Sequence, residues 1–289
     1  MTDRITAHFG ADGLRRFHAV SLQGAPMPDE AVRALRDQGV PVAVAPYFRA
    51  ATASDAVQLG AFAVQRKYPS LPGALSRWPR LGTDGGAELC VRPDGAVQAV
   101  FLADTVPDMY VSSSVYLFNE ALVLLDRGLP RLASADGLED ALPPLRDLMA
   151  GLKDLDPTAF AERESWWPRV LDDVRHTLNF PFSASFEFTL PEGRKEIVTD
   201  HAGPGRLHPE ERIWQRLSAS GVRPEDVTRV YCELEPCLMP GHYCAQWMQQ
   251  LFPTAKFTHS FDYGVTSESR EEGLKQAILY AAQPAGPHE

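Results

Sequence analysis

The sequence has no apolar run long enough to cross a bilayer. Its longest, around Val115 to Leu125, is interrupted by Asn119 and Glu120 and falls well short of the roughly 20 residues a span needs. The opening residues lack the pattern of a secretory leader, because Asp3, Arg4 and His8 break up Met1 to Gly10. A cytoplasmic protein that does not engage membrane is expected, although export by a dedicated machine would leave no mark of this kind. Lysine is scarce, with 5 residues against 23 arginines, as a GC-rich genome would give. Cationic surplus is also missing. The chain carries 28 Lys+Arg against 38 Asp+Glu, a net charge of −10, and residues 151–289 alone hold 14 against 21, a net of −7. Tight, sequence-independent binding to a phosphate backbone rests on cations, so the overall balance argues against it and leaves room only for a local basic strip. There is no internal repeat and no low-complexity tract.

What is present is ample for two cores: 289 residues of ordinary globular composition, 44% hydrophobic and 23% charged. In the first part, Glu30 to Gln38 reads as a helix closed by Gly39–Val40–Pro41, with an extended run over Val42 to Phe48. Ala87 to Val91 and Ala96 to Leu102 read as strands joined by the turn Arg92–Pro93–Asp94–Gly95. Ser112–Ser113–Ser114 opens an apolar-periodic helix, Val115 to Leu125. This gives a first domain over residues 1–130 and a helical connector over 131–178, which contains Pro143–Pro144 and the pair Trp166–Trp167, the latter read as packing residues. From 179 to 289 the pattern alternates. Strands are expected over Phe182 to Leu190, Arg194 to Thr199, Val227 to Glu233 and Lys256 to Phe261. Helices are expected over Pro209 to Ser220, Tyr243 to Phe252 and Ser269 to Ala282. That order implies an α/β domain, a central sheet with helices on its faces.

Of four cysteines, Cys232, Cys237 and Cys244 lie within thirteen residues, and such clustering favours metal binding over disulfides in a reducing compartment. His208–Pro209–Glu210 opens a helix, Pro236–Cys237 follows the next strand, and Cys244 opens the helix after it. Hydrolysis of an aromatic amine needs a hydroxide at neutral pH and a group that carries a proton to the leaving ammonia. One zinc ion with three protein ligands and an open position supplies the first, and a carboxylate that does not touch the metal supplies the second. The order H-x-E…P-C-x-x-C is that of the zinc deaminases. It assigns His208, Cys237 and Cys244 to the metal and Glu210 to the proton. Helix N-termini also favour thiolates. One feature departs from the pattern: six residues, Leu238 to Tyr243, separate the two cysteines where two are usual. Pro240–Gly241 would turn that loop, within which His242 competes as a ligand; Cys232, expected within the strand, competes more weakly.

With these residues stated, the region from about 180 to 289 resembles bacterial polymorphic-toxin-type nucleic acid/nucleotide deaminases of the cytidine-deaminase-like superfamily. The resemblance rests on His208–Pro209–Glu210, on Glu233 to Cys237 with Cys244 beyond, and on Ser260–Phe261–Asp262–Tyr263–Gly264. Some members share the long cysteine spacing. It implies a cytidine-deaminase-like α/β/α sandwich, one zinc per chain, and activity on bases in nucleic acid or nucleotides. Residues 1–130 resemble SUKH-type domains of the SUKH-4 immunity group, through Leu81–Gly82–Thr83–Asp84, Pro93–Asp94–Gly95 and the Ser112–Ser113–Ser114 helix start. That implies an α+β module that binds another protein and has no catalytic residues of its own.

Around the expected metal, Glu235, Pro236, His259, Phe261 and Tyr263 are the candidate substrate contacts, since aromatic faces stack on an unpaired base. Phe257 and Phe261 fit an ordinary core strand equally well. Arg206, Arg212, Arg216 and Arg229 either guide a phosphate backbone or form a solvated face beside Glu210 and Glu211. The expected activity is conversion of cytosine to uracil in single-stranded DNA or RNA, cytosine being favoured over adenine by the resemblance alone. The acidic balance favours a rival, a free nucleoside or nucleotide deaminase. An inactive immunity or interaction protein is a second rival, which the intact His208, Glu210, Cys237 and Cys244 oppose. In a third possibility the first domain holds the deaminase in check or delivers it to a partner.

Overall fold

The computed structural model of the chain describes residues 4–68, 71–103 and 106–283. The chain forms two compact units, Met1–Leu171 and Asp172–Glu289. Most of the expected connector, residues 131–171, falls within the first.

The first unit is α+β. Six antiparallel strands follow one another in chain order: β1 (Ala43–Val44), β2 (Phe48–Ala50), β3 (Arg80–Thr83), β4 (Glu88–Val91), β5 (Val97–Val100) and β6 (Met109–Ser112). The β4–β5 turn is the expected one, with Gly95 at φ +90, where a side chain would be strained. Helix α1 (Val115–Ala133) begins at Ser114, whose side chain accepts the Leu117 N–H. It runs eight residues beyond the expected Leu125, because its apolar face continues through Leu129 and Leu132. Helix α2 (Leu138–Leu155) packs against it where Gly128 meets the Leu148 side chain. Asp156, buried beyond α2, accepts from the Ser112 and Ser113 hydroxyls and the Ser113 amide, which ties the end of β6 to the helical layer.

Helix α3 (Trp166–Asn179) carries the tryptophan pair at its start. Both rings are buried, and Trp166 Nε1 donates to Asp84 at 2.8 Å, which confirms packing as their role. The helix runs on through Pro168, because a proline in the first turn has no intrahelical partner to lose.

The second unit is α/β. Its sheet contains β7 (Ser183–Thr189), β8 (Lys195–His201), β9 (Val227–Leu234) and β10 (Lys256–Phe261), in the spatial order β8-β7-β9-β10. β7 is antiparallel to both neighbours, whereas β9 and β10 run parallel. Strict alternation along β7 sends Ala184, Phe186 and Phe188 into the core. Helices α4 (Pro209–Ala219), α5 (Cys244–Leu251) and α6 (Ser267–Ala281) complete that core with Ile213, Leu217, Met248, Leu274 and Ala277. The starts of α4 and α5 and the chain leaving β9 are thereby brought to one end of the sheet, where open α/β sheets place their ligands.

Candidate metal centre and active site

His208 is the N-cap of α4 and Pro209 its first residue, so the His208 side chain leaves the helix at its positive end. Glu211 accepts the His208 backbone N–H at 2.8 Å and closes a capping box. Cys237 lies just past β9, and Cys244 is the first residue of α5. Their sulfurs stand 3.5 and 3.6 Å from His208 Nδ1, and the three ligand atoms lie within 4.8 Å of one another. All three side chains are buried. The loop between the cysteines does bend back: His242 and Tyr243 donate their amides to the Met239 carbonyl, and Ala245 donates to that of Cys237.

The donor set fits zinc. One imidazole nitrogen and two sulfurs are its preferred ligands, and three of them leave a coordination position open. Burial opposes ionisation of both thiols. At Cys237 it is outweighed by a hydrogen bond from Cys244 and by the positive His208 ring, so the Cys237 pKa falls well below the ordinary thiol value. Cys244 rises well above that value, through burial and the adjacent thiolate. Ionisation is thereby favoured at Cys237 over Cys244. A second group, Asp173, His208 and His242, also converges within 4.8 Å. It is already knit together, with Asp173 Oδ1 hydrogen-bonded to His208 Nε2 at 3.0 Å and Oδ2 ion-paired with His242 Nε2 at 3.3 Å.

Glu210 is buried beside this cluster, and its Oε2 has no hydrogen-bond partner among the described residues. Burial raises its pKa above the usual carboxylate value despite the positive ring of His208. A carboxyl whose pKa is raised above the ordinary value holds a proton more readily and is the better suited to pass one on. Cys232 lies against Glu210 from within β9, and burial lifts its thiol pKa well above normal.

Glu210, His208 and Cys237 line a cavity of about 10 Å³, and Tyr263, Glu235 and Phe182 close it. That holds one water and no base. Glu235 Oε2 accepts the amides of Tyr263 and Gly264 at 3.1 and 2.9 Å, so it holds the loop after β10 against the cavity. Tyr263 is buried. The remaining candidates stand apart. Pro236 does not line the cavity. His259 pairs with the exposed Asp262, and Phe261 packs on the core and against Tyr280. The rival ligand His242 has Glu211 on one ring nitrogen and Asp173 on the other. Arg212 and Arg216 are both tied to Asp200, the solvated-face arrangement.

The sequence led to a helix in this region but gave α3 no part in the site. Asp173, His176 and Thr177 all line the cavity. The available signal was three polar residues at i, i+3 and i+4 on the buried side of an otherwise apolar helix face.

Residues 3–173 match the family described as SUKH-4 immunity protein. The chain belongs to that family. Residues 181–278 match a second family, described as Xanthomonas-like deaminase, so a deaminase domain follows the SUKH-4 domain. No curated protein and no solved structure matches the chain. No helix among the described residues is long and apolar enough to cross a membrane.

Proposed function

We propose that the deaminase domain is a zinc-dependent hydrolase that converts cytosine to uracil in single-stranded DNA or RNA. The observation that carries this reading is the convergence of His208 Nδ1 with the Cys237 and Cys244 sulfurs beside the unpartnered carboxylate oxygen of Glu210. His208, Cys237 and Cys244 would hold the zinc, which when bound supplies the Lewis acidity that makes water a nucleophile at neutral pH. Glu210 takes one proton from the attacking water and passes it to the ring nitrogen, then takes the second from the hydroxyl now on the ring carbon and gives it to the amine, which leaves as ammonia as the C–N bond breaks and the carbonyl forms. Its raised pKa suits both directions of transfer. Phe182 and Tyr263 must swing aside to admit a base, and their rings then offer faces on which it stacks. Glu235 keeps Tyr263 in reach through its grip on the loop.

The net charge of −7 over residues 151–289 favours a second reading, turnover of a free nucleoside or nucleotide. Through its SUKH-4 domain the chain would bind a protein partner. The deciding experiment incubates the wild-type chain and Glu210→Ala with single-stranded oligonucleotides and with free nucleosides. It reads the gain of about one dalton by mass spectrometry as the amine becomes a carbonyl, and zinc per chain in parallel. Glutamate-dependent conversion of an oligonucleotide that weakens steeply with salt supports strand recognition. Salt-insensitive conversion of nucleosides supports the second reading. Stoichiometric zinc without conversion of any substrate, or protein purified without chelator and found free of zinc, would count against catalysis.

A further inference from the structure

We propose that Asp173 and His242 are positioning residues that lock the His208 imidazole, and that the long spacing between Cys237 and Cys244 exists to carry His242 into that lock. The proposal rests on the reading of His208 as a metal ligand. Of the two ring nitrogens of His208, Nδ1 faces both sulfurs and Nε2 faces Asp173 Oδ1 at 3.0 Å. Asp173 accepts the Nε2 proton whether the ring is charged or neutral, so when Nδ1 gives up its proton to serve as a ligand the remaining proton stays on Nε2. Metal-bound histidines are oriented in this way by a carboxylate or carbonyl on the far nitrogen.

The second oxygen of Asp173 faces His242 Nε2 at 3.3 Å. His242 Nδ1 meets Glu211 Oε2 at 2.6 Å, and the same oxygen accepts the His208 backbone N–H. A closed circuit results, running from the His208 backbone through Glu211, His242 and Asp173 back to the His208 ring. Within it the two imidazoles stack at 3.7 Å, 6° from parallel. His208, His242 and Asp173 are each at most 3% exposed, so no bulk water competes for these contacts. The ring of His208 can neither turn about its long axis without leaving Asp173 nor tilt without striking His242.

The inserted loop supplies what this requires. Gly241 at φ +85 turns the chain, and Tyr243 is held at φ +43, a conformation that a bulky side chain rarely adopts. Those two residues bracket His242 and aim it back at the ring. Two cysteines separated by only two residues would leave no place for such a residue. Asp173, at the other side of the lock, lies on α3, eight residues ahead of the deaminase match at 181–278 and at the final residue of the SUKH-4 match at 3–173. The metal site thus depends on a side chain outside the deaminase match.

The test uses the full chain as wild type, Asp173→Asn, His242→Gln, the double variant and Cys237→Ser. Zinc affinity is read by competition with a chromophoric chelator, coordination by the cobalt(II) spectrum, and folding by far-ultraviolet circular dichroism. Each single positioning variant should bind zinc about 10- to 100-fold more weakly while keeping the thiolate-to-cobalt band. The double variant should lose little more than the worse single, because both belong to one circuit. Cys237→Ser should lose the metal and the band. If the Asn and Gln variants hold zinc as tightly as wild type while Cys237→Ser loses it, the lock is overturned and the ligand assignment stands. If Cys237→Ser binds as wild type, the ligand assignment itself fails. Loss of all zinc in Asp173→Asn alone would instead make Asp173 a ligand. Should Asp173→Asn fail to fold, His242→Gln decides alone.

Discussion

His176 Nδ1 stands 2.6 Å from the Tyr263 hydroxyl oxygen, both groups buried at the edge of the cavity. The other ring nitrogen, Nε2, lies 3.1 Å from an Arg175 guanidinium nitrogen. Arginine only donates, so Nε2 must accept, the single imidazole proton sits on Nδ1, and that proton is given to Tyr263. A second proton would have to enter between Nε2 and the guanidinium. The wall that limits access to Glu210 therefore relies on a neutral histidine.

A pH prediction follows from this pair. Burial lowers the His176 pKa from 6.5 to about 4, with the positive Arg175 assisting and Asp172 opposing. Since the folded-state value lies below the unfolded one, the folded protein binds fewer protons between these limits. The stabilisation is complete above about pH 6.5 and is lost as pH falls towards 4, by about 3 kcal/mol at the low end. Thermal midpoints of wild type and His176→Gln, measured from pH 7.5 to pH 4, should differ in slope over that window. Parallel curves would show that another group governs the acid response.

Replacing Cys237 or Cys244 by serine should remove the zinc and couple to stability, because metal binding contributes to folding where the ligands come from separate elements. With free zinc at one hundred times its dissociation constant, the wild-type chain gains about 2.7 kcal/mol. A chelator should therefore lower the wild-type melting temperature and leave Cys237→Ser unchanged. An equal chelator response in both would place the metal elsewhere.

That His208, Cys237 and Cys244 come together was legible in the sequence because their spacing is local chemistry. His208 and Glu210 share one helix start, and Pro236–Cys237 and Cys244 flank one loop. Strands β7 and β9 were legible through their period-two alternation, which burial enforces. Asp173 was not legible, because it meets His208 across 35 residues of chain and a buried aspartate on a helix has no spacing rule that names its partner. The candidates His259 and Phe261 went the other way. Alternation along β10 points Phe261 to the core, and Asp262 draws His259 aside. The cavity is walled instead by Tyr263 and by Phe182, one residue before β7.

Gly273 on α6 lets that helix lie on the chain leaving β10. A Cβ there would stand 1.8 Å from the Asp262 carbonyl oxygen and 2.9 Å from its carbon, both backbone atoms with no freedom to move aside. Gly273→Ala should destabilise the deaminase domain by about 2 kcal/mol or more, although alanine is otherwise the better helix former. Urea denaturation of the two chains would measure it. A variant as stable as wild type would mean that α6 is free to shift off the strand.

Glu210 should be a case in which function and stability pull apart. Its Oε2 lies buried and unpartnered, and burial raises its pKa, so the ionised form is unfavourable where it stands. Glutamine keeps the shape and removes the charge, but it can neither accept the proton of water nor deliver one to an amine. Glu210→Gln should therefore lower base conversion by about 10²- to 10⁴-fold while zinc content stays the same and the melting temperature is unchanged or higher. The three readouts on one preparation separate the possibilities. Loss of zinc would make the carboxylate a ligand, and a clear fall in melting temperature would make it a structural anchor. Full activity in the variant would remove Glu210 from the reaction and leave the proton to be carried by another group.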